Sequence, residues 1–135
     1  MGNLVCIMGV LSPKVAEKIQ GPSWNGLRDK FLGMCTTILD VSPSAVGELT
    51  TVYVKFTPVP GPNTPVYAVA WLKNSKKWIV GLALPEDVNA PVFVPPPKRY
   101  AGLTRYFYVT PDDPIPAELK QWTELAYNNI MHSLN

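Results

Sequence analysis

The feature that most constrains the fold of this chain is a period of two in its side chains, which begins near Thr50 and recurs in four segments up to Thr110. Such a period is typical of strands that pack one face against a core. It predicts strands over residues 50–56, 66–72, 77–84 and 103–110. A short polar turn separates the second strand from the third, so we expect these two to form an antiparallel hairpin.

Helical periodicity lies on both sides of this region. Apolar residues at spacings of three and four over residues 24–38 form one stripe of a helix. A shorter helix is predicted from Ser12-Pro13, an N-cap followed by proline, to about Gln20, and a third helix is predicted to begin at Pro116. We therefore predict an α+β fold in which an antiparallel sheet of about four strands is packed by N-terminal and C-terminal helices.

The chain has 135 residues, the length of one domain, and we predict a single α+β domain over residues 1–135. Within it, residues 1–11 are a candidate for a loosely ordered N-terminal extension, and Met8 is a candidate for the natural start. The apolar stretch 4–11 is too short to span a membrane and lacks the flanking residues of a signal peptide. We expect a cytoplasmic protein with no membrane partner.

The residue types that usually carry catalysis are few and scattered. Cys6 and Cys35 stand outside any C-x-x-C or Cys/His cluster, and the sequence contains no glycine-rich phosphate loop. His132 lies at the end of a predicted helix, and Asp112-Asp113 lie among prolines, where aspartates commonly form turns. We predict no catalytic residue, no metal site and no cofactor, and we favour a non-enzymatic binding or accessory domain over an enzyme with a dispersed site.

Positive charge is concentrated in the predicted sheet. Positions 50–110 contain seven Lys or Arg and two acidic residues, whereas the rest of the chain contains five bases and eight acids. Basic residues interleaved with aromatic ones are suited to binding nucleic acid. The candidate nucleic-acid contacts are Lys73, Lys76, Lys77, Lys98, Arg99 and Arg105, and the candidate aromatic contacts are Trp71, Tyr106 and Tyr108. The alternative is that the lysines are solvated turn or edge residues and that the rings belong to the core.

A second hypothesis comes from the proline-rich stretch 91–97. Its prolines predict an extended segment, and Val92, Phe93 and Val94 are apolar residues next to them. This loop could dock on a partner protein or on a second copy of the chain, or it could cover an open end of its own core. A protein–protein interaction or self-association module is therefore the alternative to nucleic-acid contact.

The C-terminal half also resembles a known family. The elements that carry the resemblance are the strand 77–84, the aromatic-rich strand 103–109, the helix that begins at Pro116 and the pair Ala126-Tyr127 near its end. This order is similar to that of the MmcQ/YjbR-like group of small bacterial domains, over roughly residues 50–132. The resemblance implies a double-winged, CyaY-like α+β fold and, by fold analogy, contact with DNA. Tyr106-Phe107 stand where that family often has a His-Trp pair.

Overall fold

The computed structural model describes residues 10–61, 63–72, 75–95, 100 and 102–133. Within this part of the chain six strands form one sheet, and they lie side by side in sequence order. The strands are β1 (Val10–Leu11), β2 (Val46–Leu49), β3 (Tyr53–Thr57), β4 (Ala68–Trp71), β5 (Trp78–Leu82) and β6 (Arg105–Val109). The sheet is mixed, because β1 runs parallel to β2 whereas every other neighbouring pair is antiparallel.

The four predicted strands correspond to β3, β4, β5 and β6, and the predicted hairpin is the β4–β5 pair. The predicted α+β class is confirmed, and the four predicted strands are antiparallel, but the sheet has two further strands, β1 and β2, and β1 makes it mixed. These strands have two and four residues, too few to show an alternation, and Gly47 interrupts the pattern of β2. The glycine leaves room for two neighbouring side chains: a Cβ atom there would lie 2.9 Å from Leu11 Cδ1 and 3.0 Å from Phe56 Cε1.

The same part of the chain contains three α-helices, α1 (Pro13–Lys18), α2 (Arg28–Leu39) and α3 (Leu119–Ser133). The predicted N-cap of α1 is confirmed, since the Ser12 hydroxyl accepts a hydrogen bond from the Lys14 N–H at 3.3 Å. The second and third helices begin later than predicted. Trp24 belongs to a 3₁₀ turn before α2, and the Pro116 carbonyl accepts a turn hydrogen bond from the Leu119 N–H before α3.

The helices pack on one face of the sheet, which we call the inner face. The predicted stripe of α2 is buried there, with Phe31, Met34, Cys35 and Ile38 having no exposed surface. These side chains share one hydrophobic cluster with inner-face residues of the strands, such as Phe56 and Phe107. Burial raises the pKa of the Cys35 thiol far above its ordinary value, so this thiol stays protonated and unreactive.

A second, smaller hydrophobic cluster lies on the opposite face, which we call the outer face. Its buried members are Val69, Ala83, Leu103 and Tyr106. After β5 the chain passes along the free edge of β6, where the Val94 N–H donates a hydrogen bond to the Tyr106 carbonyl at 2.8 Å. It then returns to the outer face, where Tyr100 packs against this cluster. Part of the sheet is therefore covered on both faces, which explains the nearly continuous apolar run at 78–84.

Candidate functional site

The outer face carries a row of side chains that crosses four strands. Tyr53 lies opposite Trp71, Trp71 lies opposite Ile79, and Ile79 lies opposite Tyr108. We call these four residues the outer row. All four are partly buried, so each presents part of its side chain to solvent. Because neighbouring strands are about 4.8 Å apart, the outer row is a strip roughly 15 Å long.

Two predicted aromatic contacts, Trp71 and Tyr108, belong to the outer row. Sequence reasoning missed Tyr53, although the alternation that buries Val54 and Phe56 on the inner face places Tyr53 on the outer one. The Tyr53 and Trp71 rings touch, with centroids 5.8 Å apart. The alternation on the two strands assigns Tyr53 and Trp71 to the same face, and this is the sequence signal that marks Tyr53.

The third predicted aromatic contact, Tyr106, is not part of the exposed surface. It is 2% exposed, and its ring packs against Trp71 with centroids 6.2 Å apart. Its hydroxyl accepts a hydrogen bond from the Tyr100 N–H at 3.0 Å. A base cannot stack on a buried ring. Tyr106 therefore supports the outer row from within the hydrophobic cluster of the outer face.

Tyr100 joins the aromatic residues of the outer face from the loop before β6. Its ring lies nearly perpendicular to those of Tyr53, at 5.6 Å, and Trp71, at 6.3 Å. Burial, together with a hydrogen bond to Tyr53, raises the pKa of the Tyr100 hydroxyl above its ordinary value. The phenol is therefore neutral at physiological pH and adds no negative charge to this surface. In the sequence Tyr100 is one of the tyrosines interleaved with basic residues, but its contacts depend on how the loop returns over the sheet.

The basic turn between β4 and β5 lies along one side of the outer row, next to its two middle members Trp71 and Ile79, and it reaches Tyr108 at the end of the row. The Lys77 Nζ atom is 4.1 Å from the centroid of the Tyr108 ring, within the range of a cation–π interaction. Lys76 precedes it in the same turn, and both lysines are exposed. This turn therefore brings positive charge to the aromatic residues. The other predicted lysine and arginine contacts, Lys73, Lys98 and Arg99, lie outside the described residues.

Arg105, also predicted to contact nucleic acid, forms hydrogen bonds within its own chain. Its guanidinium donates to the carbonyls of Glu86 at 2.7 Å, Val88 at 2.9 Å and Thr104 at 3.0 Å. These bonds hold the loop after β5 against the start of β6. Lys30 acts in a similar way on the inner side, where its ammonium group donates to the Thr110 carbonyl at 2.6 Å. Both cations thus stabilise loops.

Arg105→Gln is expected to lower the free energy of unfolding by about 1.5 kcal/mol, because the shorter, neutral side chain cannot replace three hydrogen bonds from one charged group. As a test of the predicted contact at Arg105, this variant should leave unchanged the salt dependence of binding to a labelled nucleic acid. Urea denaturation and binding titrations measure the two quantities. The control is Lys120→Gln, which removes an equal charge from an exposed pair with Asp40 at 3.7 Å and should change stability little. A weaker salt dependence at unchanged stability would instead make Arg105 a phosphate contact.

A shallow groove of about 560 Å³ lies beside the outer row. It is lined by Ser12, Val46, Glu48, Lys55, Pro60 and Gly61. Lys55 follows Tyr53 by two positions on β3 and so points to the same face. Glu48 on β2 is its cross-strand partner. The groove therefore combines apolar walls with one acidic and one basic side chain, and none of its lining residues was predicted as a site.

The apolar residues of the 91–97 loop make contacts within the chain. The Phe93 ring packs against Trp122 of α3 with centroids 4.8 Å apart, and Val94 pairs with Tyr106 at the edge of β6. Val92 is 40% exposed. Positions 96 and 97 lie outside the described residues. In this structure Phe93 and Val94 cover the core of their own chain, as one of the two sequence interpretations expected.

Among the residues that the structure describes, no three His, Cys, Asp or Glu side chains lie close enough together to hold a metal ion. His132 is exposed near the end of α3. Asp113 takes part in a turn, where its carboxylate accepts a hydrogen bond from the Thr110 hydroxyl at 2.8 Å. No helix in the described ranges has both the length and the apolar character needed to cross a membrane.

No family model, curated protein or solved structure matches this chain. The resemblance to the MmcQ/YjbR-like group therefore stays a prediction. What the outer face can bind must be inferred from its own chemistry, which is that of partly exposed rings beside ammonium groups.

Proposed function

We propose that this domain is a binding module for nucleic acid, which it contacts through the outer face of its sheet. The observation that carries the proposal is the outer row of partly exposed side chains, with the Lys77 ammonium group 4.1 Å from the ring at its end. Aromatic rings on a sheet stack with bases, and nearby cations bind the backbone. The outer row supplies the rings, and the β4–β5 turn supplies the cations.

Unpaired bases fit this surface better than duplex does. In a duplex both faces of each base are covered by neighbouring bases, so a ring on a sheet can stack only on a base that is unstacked. The supporting residues also keep the row in place: Tyr106 is buried against Trp71, and Tyr100 packs at its side. A preformed set of rings loses little conformational freedom on binding, which favours affinity.

The first test is fluorescence anisotropy with labelled single-stranded and double-stranded DNA and RNA, at low and then at physiological salt. We expect the single strands to bind more tightly than duplexes of the same length. Affinity should fall as salt is raised, because phosphate contacts release counterions. Absence of binding to every probe at low salt would refute the proposed function.

Replacing Lys76 and Lys77 together by alanine is expected to weaken single-strand binding about tenfold at low salt and to reduce the slope of log K against log salt by about 1.4, since each phosphate contact contributes about 0.7 for a single strand. The matched control is the double variant Lys18→Ala with Lys120→Ala. These two lysines are exposed on α1 and α3, which pack on the inner face of the sheet. Equal losses in the two double variants would mean that net charge, rather than the turn, governs binding.

A further inference from the structure

The groove beside the outer row continues the same surface. Lys55 and Tyr53 lie on one strand and one face, about 7 Å apart along the chain, so a strand stacked on the outer row can extend into the groove. The groove, of about 560 Å³, is shallow and open, so a nucleotide placed in it would keep one side exposed to solvent.

The two charged side chains of the groove are available to a ligand. Glu48 and Lys55 face each other across β2 and β3, where opposite charges often pair. In the part of the chain that the structure describes, however, the ion pair within 4.0 Å is that of Lys120 with Asp40, and Glu48 and Lys55 do not form one. Glu48 is exposed and Lys55 is partly buried. One side of the groove thus offers a carboxylate and the neighbouring side an ammonium group.

These charges impose an orientation on a bound nucleotide. A phosphate is attracted by the Lys55 ammonium group and repelled by the Glu48 carboxylate, so the base is directed toward Glu48. A carboxylate accepts hydrogen bonds and donates none. It therefore favours a base that presents an exocyclic amino group. The Ser12 hydroxyl accepts the Lys14 N–H but keeps its own O–H, which can donate to an acceptor on the same base.

We propose that the groove is a base-selective subsite, in which Lys55 binds a phosphate and Glu48 accepts a hydrogen bond from the exocyclic amino group of the adjacent base. This inference rests on the proposed function and adds a preference to it. Cytosine carries an amino group at the position where thymine carries a carbonyl oxygen. A carboxylate attracts the first and repels the second, so the subsite favours cytosine over thymine.

The test compares two labelled single strands of ten nucleotides, one of deoxycytidine and one of thymidine, at pH 7.5 and low salt. Both are pyrimidine strands, so differences in stacking area are small. We expect the cytidine strand to bind about tenfold more tightly, the size of effect that one good base contact gives. Glu48→Ala should bring the two affinities within about twofold of each other, whereas Lys55→Ala should weaken both by a similar factor.

Glu124→Ala is the matched control, because Glu124 is exposed on α3, on the other side of the sheet, and its loss changes net charge equally. This variant should keep the tenfold preference. Equal binding of the two strands by the wild-type protein would overturn the base preference and leave the proposed function standing. A preference that survives in Glu48→Ala would also overturn the role of Glu48. Binding of neither strand would refute the proposed function itself.

Discussion

Gly81→Ala is expected to lower the free energy of unfolding by about 2 kcal/mol, as measured by urea denaturation. A Cβ atom at this position would lie 2.7 Å from Leu103 Cδ1 and 2.9 Å from Tyr106 Cε2. Leu103 can rotate away, but the Tyr106 ring is fixed by its packing against Trp71 and by its hydrogen bond to the Tyr100 N–H. The substitution therefore pushes apart the residues that support the outer row.

The same substitution at Gly33 is the matched control. Gly33 lies within α2, and a Cβ atom there would meet no other atom within 4 Å. Alanine is the better helix former, so Gly33→Ala is expected to raise the free energy of unfolding by about 0.8 kcal/mol. If Gly81→Ala also raised the free energy of unfolding, the close packing of Leu103 and Tyr106 over β5 would not be the reason for a glycine at position 81.

Local patterns in the sequence predicted the parts of the fold that depend on neighbouring residues. The alternation on both sides of the polar turn predicted the β4–β5 hairpin, and the stripe from Phe31 to Ile38 predicted the buried side of α2. The pairing of β1 with β2 could not be predicted in this way. It joins Val10 to Val46 in parallel across two intervening helices, and neither strand is long enough to show a period.

Local patterns in the sequence also predicted only part of the candidate site. Trp71 and Tyr108 follow from aromatic residues at alternating positions, because alternation assigns them to one face. The burial of Tyr106 does not follow from it, since Tyr106 shares that face and is covered only because the loop carrying Leu103 and Tyr100 returns over it.

The number of positive charges in the sequence was a poor guide to the binding surface, because several cations bind carbonyls of their own chain. Arg28, Lys30 and Arg105 donate hydrogen bonds to loop carbonyls of their own chain. A sequence gives the number of cations, but only the fold shows which of them already bind the backbone. Lys77 lies beside the Tyr108 ring and Lys55 lines the groove, so these two cations are candidates for the proposed ligand contacts.

Tyr108→Ala is expected to weaken single-strand binding roughly tenfold to a hundredfold, since stacking of one base on one ring contributes about 1 to 3 kcal/mol. Tyr108 is the member of the outer row best suited to this test. Among the residues that the structure describes, its ring contacts the Lys77 ammonium group rather than another ring, so its removal disturbs the packing of the sheet little. Anisotropy titrations give the affinity, and thermal melting should show a nearly unchanged stability.

Two further variants decide whether the effect comes from stacking. Tyr108→Phe keeps the ring and loses only the hydroxyl, so it should retain most of the affinity. Tyr127→Ala removes a partly buried tyrosine from α3, where its ring packs edge-on against Tyr67 at 5.6 Å, and should cost stability without weakening binding. If Tyr108→Ala bound as tightly as the wild type, or if Tyr127→Ala lost as much affinity, bases would not stack on this end of the outer row. The binding surface would then have to be sought elsewhere on the molecule.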